Sequence, residues 1–322
     1  MVAFMRAFDE ADRAEDAGGD SEELLAQVAW YYYNDGLTQG DIAERLGLSR
    51  IKVSRLLDRG RQSGLIEVQI NSPYEGCLRL QKELVLAFGL AEARVIPALE
   101  EAPAGPRIGL AAARYVARRL EPHGLLAIGW GQAVMTALRH LSPALIRNDT
   151  SLVSLTGGVT AYMDGVGLRG QRGNVYLIPA PLRVSSPQFI ELLRNEPYVR
   201  NVLAMALTAK TALVGIGAAS RNASIVRDGY CTPAEIDLFA RKGAVGDIIG
   251  YFYDRNGQLL SLDLHRLIVS LPIEELRRIP TIIASAAGPE KVEAILGALR
   301  GKLINILITD ETTATELLRR GG

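Results

Sequence analysis

Cysteine and histidine are scarce in this chain: two cysteines, Cys77 and Cys231, and three histidines occur in 322 residues. Two thiols so far apart make no disulfide framework, and the scattered histidines offer no ligand spacing for zinc. Neither a metal nor a cofactor is expected. No nucleophile has an evident base beside it in the sequence, so no catalytic residue is assigned and the chain is not expected to be an enzyme. There is no run of 18 apolar residues and no apolar signal segment near Met1, so the expected setting is the cytoplasm of a prokaryotic cell. Charge of either sign is not in excess: Lys+Arg and Asp+Glu both number 36, for a formal net charge of +0. Affinity for nucleic acid must then come from a local basic patch rather than from bulk charge.

What is present suffices for a small module joined to a larger domain. The chain is 48% hydrophobic, enough for a sizeable core. Its first 23 residues hold eight acids and two arginines with little apolar periodicity, and are expected to be an acidic disordered tail. Residues 24–73 read as a DNA-binding domain, 74–90 as a linker helix and 91–322 as an effector-binding domain.

The DNA-binding reading rests on Leu37 to Gly64. Leu37, Ile42, Ala43, Leu46, Leu48, Val53, Leu56 and Leu57 can converge on one small core. Thr38 suits the N-cap of a helix from Gln39 to Leu46, Gly47 its left-handed C-terminal stop, and Ser49 the cap of a second helix from Arg50 to about Arg61. This is the spacing of a helix-turn-helix. With Val53, Leu56 and Leu57 inward, Arg50, Ile51, Ser54, Arg55 and Arg59 lie largely on the other side. Arg50, Ser54 and Arg55 occupy the half of the helix that meets base edges, while Lys52, Arg59 and Arg61 suit phosphates. Leu65 to Ile70 alternates like a strand, in the place of a wing. Upstream, Leu24 to Asn34 reads as a preceding helix, with Trp30 to Tyr33 as core and interface aromatics. One such module reads a short half-site, so a homo-oligomer is expected, with the apolar stripe of residues 78–88 as pairing surface.

From Ala93 onward strands and helices alternate. Strands are predicted at Arg94–Pro97, Leu125–Ile128, Leu152–Leu155, Val175–Ile178, Ala212–Ile216, Thr281–Ala284 and Ile304–Ile308. Helices are predicted over 108–120, 132–140, 290–299 and 311–318. The pattern is that of an α/β domain with a mainly parallel sheet, whose ligands bind beyond the strand ends. Gly129-Trp-Gly-Gln132, Thr156-Gly-Gly158 and Gly215-Ile-Gly217 are small-residue turns suited to phosphate or hydroxyl oxygens. Gly165 to Gly170 spells GxGxxG but follows no strand, so a dinucleotide fingerprint is not supported. Arg183 can meet a phosphate, Asp247 can accept ligand hydroxyls, and Lys291 lies early in a helix. Taken singly, each serves equally well in a structural salt bridge or on the surface. His265 is a weaker candidate contact.

Longer strings carry a resemblance. Val28-Ala-Trp-Tyr-Tyr32, Lys52-Val-Ser-Arg-Leu-Leu57, Gln69-Ile-Asn-Ser72, Ile178-Pro-Ala-Pro-Leu-Arg183, Val214-Gly-Ile-Gly-Ala218 and Arg241 to Asp247 resemble the SorC family of sugar-responsive bacterial transcriptional regulators, from about Leu24 to Leu318. The resemblance implies a winged helix-turn-helix joined to a domain like the sugar-isomerase and CoA-transferase folds. It implies tetramers on double-stranded operator DNA and a repressor relieved by a small phosphorylated sugar or polyol, such as phosphorylated autoinducer-2. A sugar- or polyol-responsive activator is the alternative, and an isomerase-like enzyme a remoter one. Family ligand positions fall on Gly157, Gly158, Arg183, Asp247 and Lys291, beside Gly129 and Gln132 from the first glycine turn. Thr156, Thr160-Ala161 and Asp164 depart from the expected pattern, which points to a polyol or a different sugar phosphate.

Overall fold

Reciprocal capping starts the reading module. In the computed structural model, which describes residues 22–67, 72, 74–98, 104–158 and 175–321, helix α1 spans Glu22–Tyr33 and α2 spans Gln39–Leu46. The Thr38 hydroxyl accepts the Asp41 amide at 3.3 Å, and the Asp41 carboxylate accepts the Thr38 amide at 3.1 Å. The two bonds satisfy end groups the helix itself cannot reach. Gly47, at φ 68°, stops α2 in the left-handed region. Ser49 then accepts the Lys52 amide at 3.1 Å and opens α3 (Arg50–Gln62). Val28, Ile42, Ala43, Val53, Leu56 and Leu57 form the buried centre of these three helices. Gly60 of α3 is also buried; a Cβ there would lie 2.5 Å from Ile66 and 2.8 Å from Leu25, so the chain after α3 is held against it. The expected wing falls largely outside the described residues, at 68–70, and Leu65–Glu67 form no strand.

The chain divides into one unit ending at Asn71 and another beginning at Ser72. Helix α4 (Glu75–Phe88), expected as a linker, belongs to the second unit. It packs on β1 (Glu92–Ile96) and on the last helix, α13 (Glu311–Gly321), with Cys77, Leu80 and Leu84 buried in the main core. Two of its leucines, Leu78 and Leu86, remain exposed.

Seven parallel strands make the main sheet. After β1 come α5 (Ala104–Ala117), β2 (Leu125–Ile128), α6 (Gln132–Asn148), β3 (Ser151–Ser154) and β4 (Val175–Tyr176). Then follow α7 (Pro187–Asn195), α8 (Pro197–Ala206), β5 (Thr211–Gly215), β9 (Thr281–Ser285), α12 (Val292–Arg300) and β10 (Ile306–Asp310), with smaller elements between β5 and β9. The order across the sheet is β1-β10-β9-β5-β2-β3-β4. Alternation along each strand divides the core into two faces. Leu126, Ile128, Leu152, Leu213 and Ile283 point to α5 and α6. Ala127, Val153, Ala212, Val214 and Ala284 point to the opposite face, where α8 and α12 pack. Helices on both faces of a parallel sheet give a three-layer α/β domain.

The extents differ from expectation where local rules were outweighed. Helix α6 continues past Pro143 because Leu141, Ala144 and Leu145 on either side of it are buried against the core. The predicted strand over 175–178 shortens to Val175–Tyr176. A second sheet, antiparallel, is built from β6 (Gly217–Ala218), β7 (Gly246–Ile248) and β8 (Tyr251–Tyr253). Between β5 and β9 also lie α9 (Ser224–Arg227), α10 (Pro233–Arg241) and α11 (Ile273–Leu276).

Candidate functional site

The chain order reverses its direction across the sheet between β2 and β5. From β2 it runs outward to β3 and β4; from β5 it runs the other way through β9 to β10. The loops that leave the ends of two such strands part and open a crevice, the usual ligand position in an open α/β sheet. A cavity of about 440 Å³ occupies that place, within the range of small-molecule sites. Trp130 to Ala133 line it from the end of β2, Gly215 to Ala218 from the end of β5, and Ser285 from the end of β9. Asn222, Ser224 and Arg227 face it from the segment around α9, and Glu290 and Lys291 from the turn before α12.

Asp247 reaches this cavity from the small sheet. It is only 4% exposed. Its Oδ2 accepts the Gly250 amide at 3.1 Å. Burial pushes its carboxyl up to about 6, against the pull of that hydrogen bond and of Lys291. Burial likewise lowers the Lys291 ammonium, opposed by the charges of Glu290 and Asp247. The pair sets a carboxylate able to accept hydrogen bonds beside a cation. The hairpin presenting Asp247 turns through Ile249 and Gly250, at φ 50° and 88°. A β-branched residue in the left-handed region is strained, and Ile249 lines the cavity.

Other expected ligand residues are occupied elsewhere. Arg183 binds Glu235 through both terminal nitrogens, at 2.8 and 3.1 Å, and donates to the Tyr230 carbonyl at 2.9 Å. This clamp ties the chain after β4 to the start of α10; Arg183 does not line the cavity. The Gly157 amide donates to Val269 and the Gly158 amide to Ala180, both at 2.8 Å, so neither is offered to a ligand. Gly157 is a glycine because a Cβ would lie 2.4 Å from the Pro181 carbonyl oxygen. Gly158 sits against Tyr230, whose ring meets Trp130 edge-on at 5.5 Å, and so lies one aromatic pair behind the cavity wall. Gly129 donates to Leu213 at 2.8 Å and packs on Ile249 and Val214 without lining the space. Gln132, Asp247 and Lys291 are brought together; Gly129, Gly157, Gly158 and Arg183 are not. Thr160-Ala161, Asp164 and the Gly165–Gly170 string fall outside the described residues.

Ser285, Arg227, Asn222 and Ser224 escaped the reading of the chain. Ser285 ends a legible strand, which was its signal. The Ser220–Arg227 stretch carries no periodicity that marks it.

Two other groups are structural. His265 accepts the Phe252 amide at 2.8 Å through Nε2, and burial holds its imidazole down at about 4, so it is neutral. Burial pushes the Cys231 thiol up to about 12. No cluster suited to a metal ion, and no helix long and apolar enough to cross a membrane, occurs among the described residues.

On α3, Arg50, Ile51, Arg55 and Arg59 are exposed and Lys52 and Ser54 half-buried, opposite Val53, Leu56 and Leu57. Arg61 instead pairs with Asp58 and donates to the Tyr33 hydroxyl at 3.0 Å. Tyr31 lies under Arg45, 4.6 Å from ring centroid to guanidinium carbon, while Trp30 is 60% exposed.

The family described as "Putative sugar-binding domain" matches residues 72–319, and the MarR family matches residues 27–73. The transcriptional regulator LsrR of Klebsiella pneumoniae is 51% identical over 92% of this chain and 93% of its own length. LsrR of Escherichia coli K12 is 46% identical over 92% and 95%. Among solved structures, the full-length sorbitol operon regulator SorC of Klebsiella pneumoniae superposes with a TM-score of 0.66 at 30% identity, covering 94% of this chain and 100% of that one. A helix-turn-helix and a sugar-binding α/β domain, matched over nearly the whole length, place the chain in the SorC family of transcriptional regulators.

Proposed function

We propose that this regulator represses transcription and leaves its operator when a phosphorylated, sugar-like effector fills the cavity at the sheet's reversal point. The observation that carries the reading is the buried Asp247 beside Lys291, in a cavity of about 440 Å³. Asp247 accepts effector hydroxyls, and Lys291 and Arg227 supply positive charge. The 46–51% identity to LsrR proteins supports phosphorylated autoinducer-2 as the first effector to test. Arg50, Ile51, Lys52, Ser54, Arg55 and Arg59 are assigned to the DNA face, with Arg50, Ser54 and Arg55 on bases. Its role is regulatory and cytoplasmic, and burial leaves Cys231 and His265 poised neither as nucleophile nor as base.

The active form is a homo-oligomer, since two half-sites need two reading helices, and the resemblance to the SorC family extends that pair to a tetramer built as a dimer of dimers. Trp30, Leu78 and Leu86 are among the exposed apolar side chains available for it.

An effector shifts the equilibrium only by binding one state better than the other. The test is titration of labelled operator DNA with and without phosphorylated autoinducer-2. Weaker operator binding with saturable effector dependence is expected; tighter binding would overturn the assignment as a repressor relieved by its effector. Response to sorbitol or its phosphate in place of autoinducer-2 would favour the polyol reading, which the 30% identity to the sorbitol operon regulator supports.

A further inference from the structure

One hydroxyl in the cavity wall has no partner. Ser285 is fully buried and its Oγ makes no hydrogen bond, although it lines the cavity. An unsatisfied hydroxyl in a protein interior costs free energy that a ligand atom can return.

The register tells which way it faces. Ile283 lies in the core between the sheet and α6, and Ser285, two residues on, points to the same side. Across the sheet Ser285 pairs with Gly215. A Cβ at Gly215 would sit 3.1 Å from the Trp130 carbonyl oxygen and 3.8 Å from Val134, so this row runs beneath the first turn of α6. That helix is 17 residues long, and Gly131 at its N-cap has no side chain to cap it. Its first amides and the positive end of its dipole are left for another acceptor.

We propose that Ser285 and the first turn of α6 form the subsite for the effector's phosphoryl group, with Ser285 donating its hydroxyl proton to a phosphoryl oxygen. Ser285 thereby separates phosphorylated from unphosphorylated effectors, while Asp247 reads the hydroxyls. The assignment rests on the effector reading above.

The experiment is calorimetric titration of the full-length parent, Ser285→Ala and Asp247→Ala with phosphorylated autoinducer-2, unphosphorylated autoinducer-2 and inorganic phosphate, beside melting curves without ligand. Ser285→Ala is expected to weaken the phosphorylated ligand about tenfold, leave the unphosphorylated one within twofold, and lose competition by inorganic phosphate. Its ligand-free melting temperature should stay level or rise, because an unpaired hydroxyl has been removed. A Ser285→Ala protein that keeps the parent's preference for the phosphorylated ligand, while Asp247→Ala loses affinity, overturns the subsite and leaves the cavity reading standing. Equal weakening of both ligands also overturns it, since the hydroxyl would then touch the sugar-like part. A parent that binds none of the three probes overturns the effector reading and this subsite with it.

Discussion

The Asp247 carboxylate occupies the space that a side chain at Gly217 would need: a Cβ there would lie 2.0 Å from Asp247 Oδ1. The two residues are cross-strand partners in the small antiparallel sheet, and both line the cavity. Gly217→Ala must therefore push the carboxylate away from its position over Gly217. The expected outcome is a loss of effector affinity of at least tenfold, approaching that of Asp247→Ala, with ligand-free operator binding within about twofold of the parent. Effector titration against labelled operator measures both, and parent-like effector response in Gly217→Ala would remove Asp247 from the binding role.

Asp247 also gives the protein a pH signature. Its carboxyl is held at about 6 in the folded chain against an ordinary value of 3.8, chiefly by burial. The folded state thus binds this proton more tightly than the unfolded state, and the group's stabilising contribution is complete below pH 4 and lost as pH rises through 6. The difference is roughly 3 kcal/mol, at about 1.4 kcal/mol for each pH unit of the window. Effector binding runs the other way, because hydroxyl donors favour the ionised carboxylate: affinity should rise about tenfold between pH 5 and pH 7. Melting curves and effector titrations of Asp247→Asn should lose both slopes. If the variant keeps the parent's profiles, another group sets them.

How much of this was legible in the chain follows from the length scale of each signal. The helix-turn-helix could be read because Thr38, Gly47 and Ser49 punctuate it and Val53, Leu56 and Leu57 give α3 a clear inner face. The central strands were legible as short apolar runs such as Leu125–Ile128. The small sheet that carries Asp247 was not, since strands of two or three residues have no periodicity to detect. The glycines at 157 and 158 stand out in the sequence, and in the fold Gly157 packs against the Pro181 carbonyl while Gly158 takes a φ of 93°. A glycine string shows that backbone or ligand comes close without saying which.

Arg183 offers the sharpest contrast between a role in the cavity and a role in the fold. Its guanidinium holds the Glu235 carboxyl down at about 2, and both side chains are 29% exposed. Glu235 in turn completes the capping box with Thr232 that starts α10. Arg183→Ala leaves a half-buried carboxylate without its cation and should cost about 2 kcal/mol, below the range for fully buried pairs. Effector affinity should stay within about twofold. Denaturant unfolding and effector titration separate the outcomes, and a large affinity loss without a stability loss would return Arg183 to the binding site.

The last expectation concerns DNA. Ser49 begins α3 by accepting the Lys52 amide, and the exposed Arg50 and Arg55 follow in the half of the helix that meets base edges. Two substitutions separate helix integrity from reading. Ser49→Ala removes the cap and should destabilise the first unit by about 1 kcal/mol; operator binding then falls in proportion to the folded fraction, with the preference among operator sequences kept. Arg55→Ala leaves the apolar centre of Val53, Leu56 and Leu57 untouched, so it should melt like the parent. It should nonetheless lose roughly 1–3 kcal/mol of discrimination at one base pair, the worth of a bidentate arginine contact. Binding to a panel of single-base operator variants at several salt concentrations reads the difference. If Arg55→Ala weakens every sequence equally and lowers the salt slope by about one, the arginine holds a phosphate, and base reading passes to Arg50 and Ser54.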